Sequence, residues 1–304
     1  MRLSVIHVTH YRYSSPVVLS QQLLHLTPRT LPWQRCEAHR IRVEPTAGEL
    51  WEREDYYGNR STHFVVAVPH EALIVHAESE VSVQPRAKAA LGAPKISWEA
   101  VRAKLSAPDA PAPVEAAEFL FDSAHVERSR ELADYAVKSF TARRAMLDCA
   151  SDLARRIHRD FKFDRTATSV STPLKQVLKD RRGVCQDFAH LMIGCLRSIG
   201  LAARYVSGYI LTSPPPGRAR LVGADASHAW ASIWCGRSGG DDGGWVDIDP
   251  TNNCIVDDAH VTLGWGRDFA DVTPMRGVIL GGGTQELAVR VTVSPGLEAT
   301  IESQ

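Results

Sequence analysis

Between Leu3 and about Pro85, apolar and polar residues alternate in short runs: SVIHVTHYRY, HRIRVEP, THFVVAVP and LIVHAESEVSVQP. Alternation with a period of two places one row of side chains on each face of a pleated strand. Turn residues such as Tyr57, Gly58 and Asn59 separate the runs, so a small N-terminal β-sandwich is expected. From Arg86 to Val114 the pattern dissolves into Ala and Pro, with the stretch APDAPAPV, a composition that suits a linker better than regular structure. Beyond it the period lengthens to that of helices in SRELADYAVKSF, LDCASDLARRIHRDF and PLKQVLKD, the last with Pro173 at a first-turn position.

A longer helix is predicted to start at Cys185. Phe188, Leu191, Met192, Cys195, Leu196 and Ile199 follow helical spacing, and Gly200 stands where a helix ends on glycine. Three β-type runs follow, LAARYVSGYIL, SHAWASIWC and GWVDID, joined by SPPPGRARLVG and GRSGGDDG, whose Gly and Pro mark loops. In the tail, Leu287, Val289, Val291 and Val293 alternate after ILGGGT. These glycines lack the GK[ST] continuation of a phosphate cradle, so a glycine turn feeding an edge strand is expected. The predicted organisation is a sandwich over 1–85, a linker and helical connection over 86–130, an α+β core over 131–275 with helices before an antiparallel sheet, and a C-terminal strand extension over 276–304.

The chain has 304 residues and 44% hydrophobic content, ample for two cores. Its 35 basic residues balance 35 acidic ones, so no overall field favours a nucleic acid, an anionic membrane or a polyanion. His7, His10 and Arg12 interrupt the early apolar residues, no signal-peptide core is visible, and no run is long enough to cross a bilayer. Cytoplasmic residence is the expectation. Cys36, Cys149, Cys185, Cys195, Cys235 and Cys254 form no CxxC pair and lack the Cys and His spacing of a zinc site, so free thiols are expected and no structural metal.

Position distinguishes the two cysteines of the predicted helix. Unpaired backbone N–H groups and the positive end of the helix dipole stabilise a thiolate at Cys185, in the first turn, but not at Cys195, two turns further in. The same amides can hold the oxyanion formed when a thiolate attacks a carbonyl. A small buried cysteine is the alternative. A nucleophile needs a base, and His190, five residues on, is about 140° round the helix and out of reach. His228 begins one predicted strand and Asp249 ends the next; if the two are antiparallel neighbours, imidazole and carboxylate meet. Cysteine would attack, histidine would carry the proton and aspartate would orient the ring.

Each of these residues also has a purely structural reading. His228 can be a half-buried strand histidine bonded to backbone, and Asp249 can cap the turn before Pro250. Asp247 shares its strand face and competes for the orienting role. Trp230, Trp234 and Trp245 are expected in the core ahead of a substrate groove, and Asp187 is expected to favour the helix dipole. Tyr205 and Tyr209 read as packing. Arg181 and Arg182 read as a solvated pair ahead of an attractor of acidic peptides. A metal hydrolase built on Cys254, Asp257, Asp258 and His260 rests on proximity alone.

The segments RDFKFDRTATSVSTPLKQVL, RRGVCQDFAHLMIGCLRSIGLAARYVSGY, ASHAW, GWVDIDPTNN and GRDFADVTPMRGVILGGG resemble the transglutaminase-like superfamily, whose core is similar to papain-type cysteine proteases. The chain looks like the bacterial members with an N-terminal β-domain. The resemblance implies an N-terminal β-sandwich followed by a papain-like core whose nucleophile helix packs on an antiparallel sheet. It implies Cys185 as nucleophile, His228 as base and Asp249 as orienting carboxylate, with no cofactor and no metal, since the calcium sites of animal transglutaminases have no evident counterpart here. It leaves the acyl acceptor open. Hydrolysis of peptide or side-chain amides ranks ahead of amine crosslinking or protein deamidation, and a non-catalytic binding module is the remaining alternative. The implied partners are a peptide or protein substrate and, in peptide-modifying systems, an ATP-grasp-type ligase. The loop from Ser213 to Leu221 is expected to shape the substrate entrance.

Overall fold

The computed structural model describes residues 1–106, 114–212, 227–237 and 243–296. Its first strand, β1 (Arg2–Leu24), is 23 residues long, more than twice the run that alternation marks. β2 (Gln34–Glu44), β3 (Glu49–Glu54), β4 (Arg60–Val66) and β5 (His70–Val83) follow. The register of β1 against β5 breaks between Arg12 and Val17. Before the break β1 pairs with β5, and from Ser20 onward it pairs with β4. The expected β-layers therefore take the form of one antiparallel sheet curled about a bent strand. Inside the curl lie Tyr13, Val17, Leu24, Leu26, Phe64, Val66, Leu73 and Val75.

The Ala- and Pro-rich stretch is more ordered than its composition suggests: α1 (Ala87–Gly92) and α2 (Trp98–Ser106) form within it. The reason is tertiary. Val101 and Leu105 of α2 sit in the main core, with Ile96 and Trp98 packed against it, and that burial offsets a weak local preference. Most of APDAPAPV lies outside the described residues.

The core then runs α3 (Val114–Ala117), α4 (Arg130–Ala136), α5 (Met146–Asp160), β6 (Lys162–Phe163), α6 (Leu174–Asp180), β7 (Arg182–Gly183) and α7 (Cys185–Ser198). β8 (Ala203–Ile210), β9 (Ser227–Trp234), β10 (Trp245–Asp249), β11 (Cys254–Ile255) and β12 (His260–Gly266) follow. They form an antiparallel sheet in the order β11-β10-β9-β8-β12. α7 carries the predicted apolar stripe into this core: Phe188, Leu191, Met192, Cys195 and Leu196 are buried together with Ala203, Tyr205, Ala229, Ala231 and Ile233 of the sheet. Gly200 closes the helix with a φ of 77°. Arg197, only 1% exposed, ties its far end down by donating to the carbonyls of Phe119, Ala203 and Arg267 and to Ser123 Oγ.

The chain ends by returning to its beginning. β13 (Met275–Gly281) pairs with the second half of β1, and β14 (Gln285–Pro295) pairs with the first half. The turn between them is the predicted glycine turn, with φ of 91°, 90° and 60° at Gly281, Gly282 and Gly283, values that favour glycine. The curled sheet rests on the core sheet through Leu3, Val5, Val81, Val83, Tyr209, Val261, Leu263, Val291 and Val293. Two side-chain amides there imitate a neighbouring strand. Gln34 exchanges bonds with the backbone of Thr262 at 2.8 and 2.7 Å, and Asn59 with that of Trp265 at 2.8 and 2.9 Å.

Candidate active site

The site is built from the start of α7 and two strand ends. Val184 is the N-cap, with extended backbone, and its N–H donates to Asp187 Oδ2 at 2.8 Å while Thr168 Oγ1 donates to the same oxygen at 2.6 Å. A buried carboxylate in the first turn thus pairs the N-cap amide, while valine offers no acceptor to the amides of the turn itself. Burial pushes the Asp187 carboxyl up, against these two hydrogen bonds. Gly183 is required by this arrangement, because a Cβ there would lie 2.6 Å from Asp187 Oδ2. Cys185 follows directly, half-buried, with its sulfur 4.0 Å from the Ser227 carbonyl at the start of β9.

The next residue of β9 is His228. β9 and β10 are antiparallel, with Ala231 opposite Ile248, so the start of β9 lies beside the end of β10, as the sequence predicts. His228 Nε2 stands 2.7 Å from Asp249 Oδ2. The imidazole is 8% exposed and the aspartate 0%. Asp249 also caps its turn, Oδ1 accepting from the N–H groups of Thr251 at 2.8 Å and Asn252 at 3.1 Å. Oδ2 thus faces the imidazole while Oδ1 caps the turn.

Two further residues close around this carboxylate. Asn252 Nδ2 donates to Asp249 Oδ2 at 2.6 Å, and His260 Nε2 stands 3.4 Å from the same atom. Burial pushes Asp249 up, but the donors His228, His260 and Asn252 outweigh it and hold the carboxyl far below the usual carboxylate range. Burial likewise pushes His228 down, but the bonds to Asp249 and to Cys185, with their charges, raise its imidazole to about 10. With Nε2 turned to the carboxylate, Nδ1 is the ring nitrogen left for Cys185. Asn252 has a faint signal in sequence, an Asx-type residue in a proline turn. His260 has none, because β11 and its turns separate it from Asp249 along the chain.

Cys185 and His228 share a cleft of about 650 Å³ with Phe163, Arg165, Gln186, Tyr205, Thr251, Asn252 and Phe269. Another cavity, about 300 Å³ among Trp33, Arg86, Trp245 and Asp247, contains none of the three predicted residues. Trp230 and Trp234 are fully buried and Trp245 is 9% exposed; none lines the larger cleft. The loop from Ser213 to Leu221 lies outside the described residues.

The other candidates are placed elsewhere. Asp247 pairs with Arg86 at 3.0 Å, and the carboxylate beside His228 is that of Asp249. His190 accepts the Phe269 N–H at 3.1 Å and stacks on His125. Burial pushes it down to about 3, so it is a neutral acceptor in the core. The residues of the metal-hydrolase reading do not assemble. Asp257 accepts from the Arg86 and Ala87 N–H groups, Asp258 faces the chain's amino terminus at 3.7 Å, and His260 turns to Asp249. Among the described residues, the metal-competent donors gathered within 4.8 Å are His228, Asp249 and His260, and their separations of 2.7 and 3.4 Å are hydrogen-bond distances. No helix among the described residues is long and apolar enough to cross a membrane.

Comparison with known proteins identifies the family. Residues 3–82 match the bacterial transglutaminase-like N-terminal region, and residues 130–250 match the transglutaminase-like superfamily. An uncharacterized protein of Mycobacterium bovis is 42% identical over 283 residues, covering 91% of this chain and 87% of its own. One from Mycobacterium leprae is 31% identical over 96% of this chain and 98% of its own. A protein-glutamine gamma-glutamyltransferase of Pseudomonas aeruginosa is 31% identical over 127 residues, which span 41% of this chain and 18% of that protein. The fold is similar to a crystal structure from Cytophaga hutchinsonii described as a proposed cysteine protease, with a TM-score of 0.74 and 19% identity over 97% of this chain and 90% of that one. With its N-terminal strands and its cysteine-bearing core each matched in this way, the chain belongs to the transglutaminase-like superfamily, in the bacterial form that carries the associated N-terminal region.

Proposed function

We propose that this protein is a cysteine-dependent acyl-transfer enzyme that hydrolyses peptide or side-chain amides through Cys185, His228 and Asp249. The observation that carries the reading is the 2.7 Å pair between His228 and Asp249, set in the cleft that also contains Cys185 at the mouth of α7. A positively charged His228 beside Cys185 favours the thiolate, which attacks the amide carbonyl. The oxyanion faces the unpaired N–H groups of the first turn. Collapse of the tetrahedral species breaks the C–N bond, and His228 donates its proton to the leaving amine or ammonia. His228, now neutral, takes a proton from water, which attacks the thioester and releases the acid.

An incoming amine in place of water gives a crosslink through the same steps. The P. aeruginosa relative, named for glutamyl transfer, favours that second reading. The substrate proposed is a peptide or protein, and an ATP-grasp-type ligase is the partner the resemblance suggests. Six free cysteines support the proposed cytoplasmic setting.

Competing thiols are held back. Burial pushes Cys195 up to about 12, and Cys149 and Cys254 up to about 11. Iodoacetamide at neutral pH is therefore expected to alkylate Cys185 first, read by mass on its peptide. A mixed peptide library, incubated with and without a labelled primary amine, distinguishes cleavage, deamidation and amine incorporation by mass. Cys185→Ala should abolish all three while melting normally. Labelling that spreads over other cysteines with Cys185 slow, or full turnover by Cys185→Ala, overturns the proposal.

A further inference from the structure

Tyr205, which reads from the sequence as packing, lines the cleft that contains Cys185 and His228. Ser207 stands two residues further along β8, on the same face of the strand, and lines the cleft as well. This is the face turned to α7, for Tyr205 shares the main core with Phe188, Ala189 and Met192 of that helix. Opposite the two residues on β9 stand Ala231 and Ala229, whose methyl groups take up little room above the sheet.

Both hydroxyls lack a partner. Tyr205 is 2% exposed and Ser207 4%, yet among the described residues neither oxygen makes a hydrogen bond. Neither is among the buried polar atoms without a partner, so each meets solvent, and the space that both residues line is the cleft. Hydroxyls on side chains this deep are ordinarily bonded within the protein. Two unbonded ones on one strand face mark a surface that receives polar atoms of whatever enters the cleft.

The phenol is also held in place. The His190 ring lies 4.9 Å from it between centroids, and Phe269 stands edge-on at 6.3 Å. The Phe269 N–H is itself bonded to His190 Nε2. Burial, with the charges of Cys185, Asp187 and Asp268, pushes the phenol well above its ordinary value, so it keeps its proton and remains a donor. A fixed donor needs little reorganisation when a negative oxygen forms in front of it.

We propose that Tyr205 is a catalytic residue whose hydroxyl donates to the carbonyl oxygen of the acyl donor as that oxygen becomes negative, alongside the first-turn N–H groups of α7. This rests on the reading of Cys185 as the nucleophile. As the thiolate attacks, the C–S bond forms and the carbonyl π pair moves to the oxygen facing Tyr205. Collapse returns that pair and expels the leaving group.

The test uses the full chain, the variant Tyr205→Phe and two small probes. 4-Nitrophenyl acetate acylates the sulfur through a tetrahedral oxyanion, and the released 4-nitrophenolate is read by absorbance with the Cys185→Ala rate subtracted. Iodoacetamide alkylates the same sulfur by displacing iodide, with no charge growing on its carbonyl oxygen. The ratio of acylation to alkylation rates should fall about ten- to hundredfold in Tyr205→Phe, the scale of one donor to an oxyanion. The melting temperature should stay at the wild-type value, because the hydroxyl is bonded to nothing in the free chain. A ratio unchanged within about twofold overturns the proposal and leaves Cys185 as nucleophile. An equal fall in both rates also overturns it, since the phenol would then act on the thiolate. So does a variant that melts lower or fails to fold, which would show the hydroxyl bonded within the chain. Failure of Cys185 to react with either probe sinks the nucleophile and this proposal together.

Discussion

Replacing Asp249 by Asn removes the charge that holds His228 protonated while keeping an oxygen for the Thr251 and Asn252 N–H groups. The wild-type imidazole is raised from 6.5 to about 10, burial working against the bonds to Asp249 and Cys185. That displacement corresponds to an upper figure of about 5 kcal/mol, at about 1.4 kcal/mol per tenfold. Because His228 is raised when folded, its contribution to stability is fully present below pH 6.5 and is lost as pH climbs through about 10. The displacement of Asp249 is the same interaction seen from the other partner and is counted once. In Asp249→Asn, with burial offsetting the bond to Cys185 that remains, the imidazole should return to about 6.5, so its protonated fraction at pH 9 falls from about nine-tenths to about 0.3%. If proton donation to the leaving amine limits turnover, protonation alone costs the variant about 1.3-fold at pH 6 and about 300-fold at pH 9. NMR of protein labelled with carbon-13 histidine reads the ring directly, with His228→Gln assigning its signal among the twelve histidines. A variant His228 that titrates within about one pH unit of wild type refutes the reasoning, as does an equal loss of activity at both pH values.

Asp187→Ala removes the acceptor of Val184 N–H and Thr168 Oγ1; it should cost about 1–3 kcal/mol in chemical denaturation and slow Cys185 alkylation by loosening the first turn. Arg197→Leu leaves the carbonyls of Phe119, Ala203 and Arg267 without their buried donor. It should cost about 3–5 kcal/mol, read as a lower denaturation midpoint, and an unchanged midpoint would show that the cation contributes nothing net.

Local pattern reached far into this protein because helices and strands are written in short windows. The stripe from Phe188 to Ile199 defined α7, and the position of Cys185 in its first turn marked the sulfur-bearing residue that shares a cleft with His228. The antiparallel logic of two consecutive strands brought His228 to Asp249, because hairpin neighbours share their ends. What needed the tertiary structure was every choice of a distant partner. Asp247 and Asp249 stand on one strand, and Arg86, 161 residues away from Asp247, sets their surroundings apart. His260 follows Asp249 by only eleven residues, yet β9 and β8 stand between β10 and β12 in the sheet, so no periodicity along the chain announces that its ring turns to this carboxylate. β14 shows the same limit: its alternation was legible, but its pairing with β1, Leu3 opposite Pro295, joins segments far apart in the sequence. Periodicity is a property of adjacent residues, whereas pairing, burial of a charge and the contest between two carboxylates are properties of segments that meet only in space.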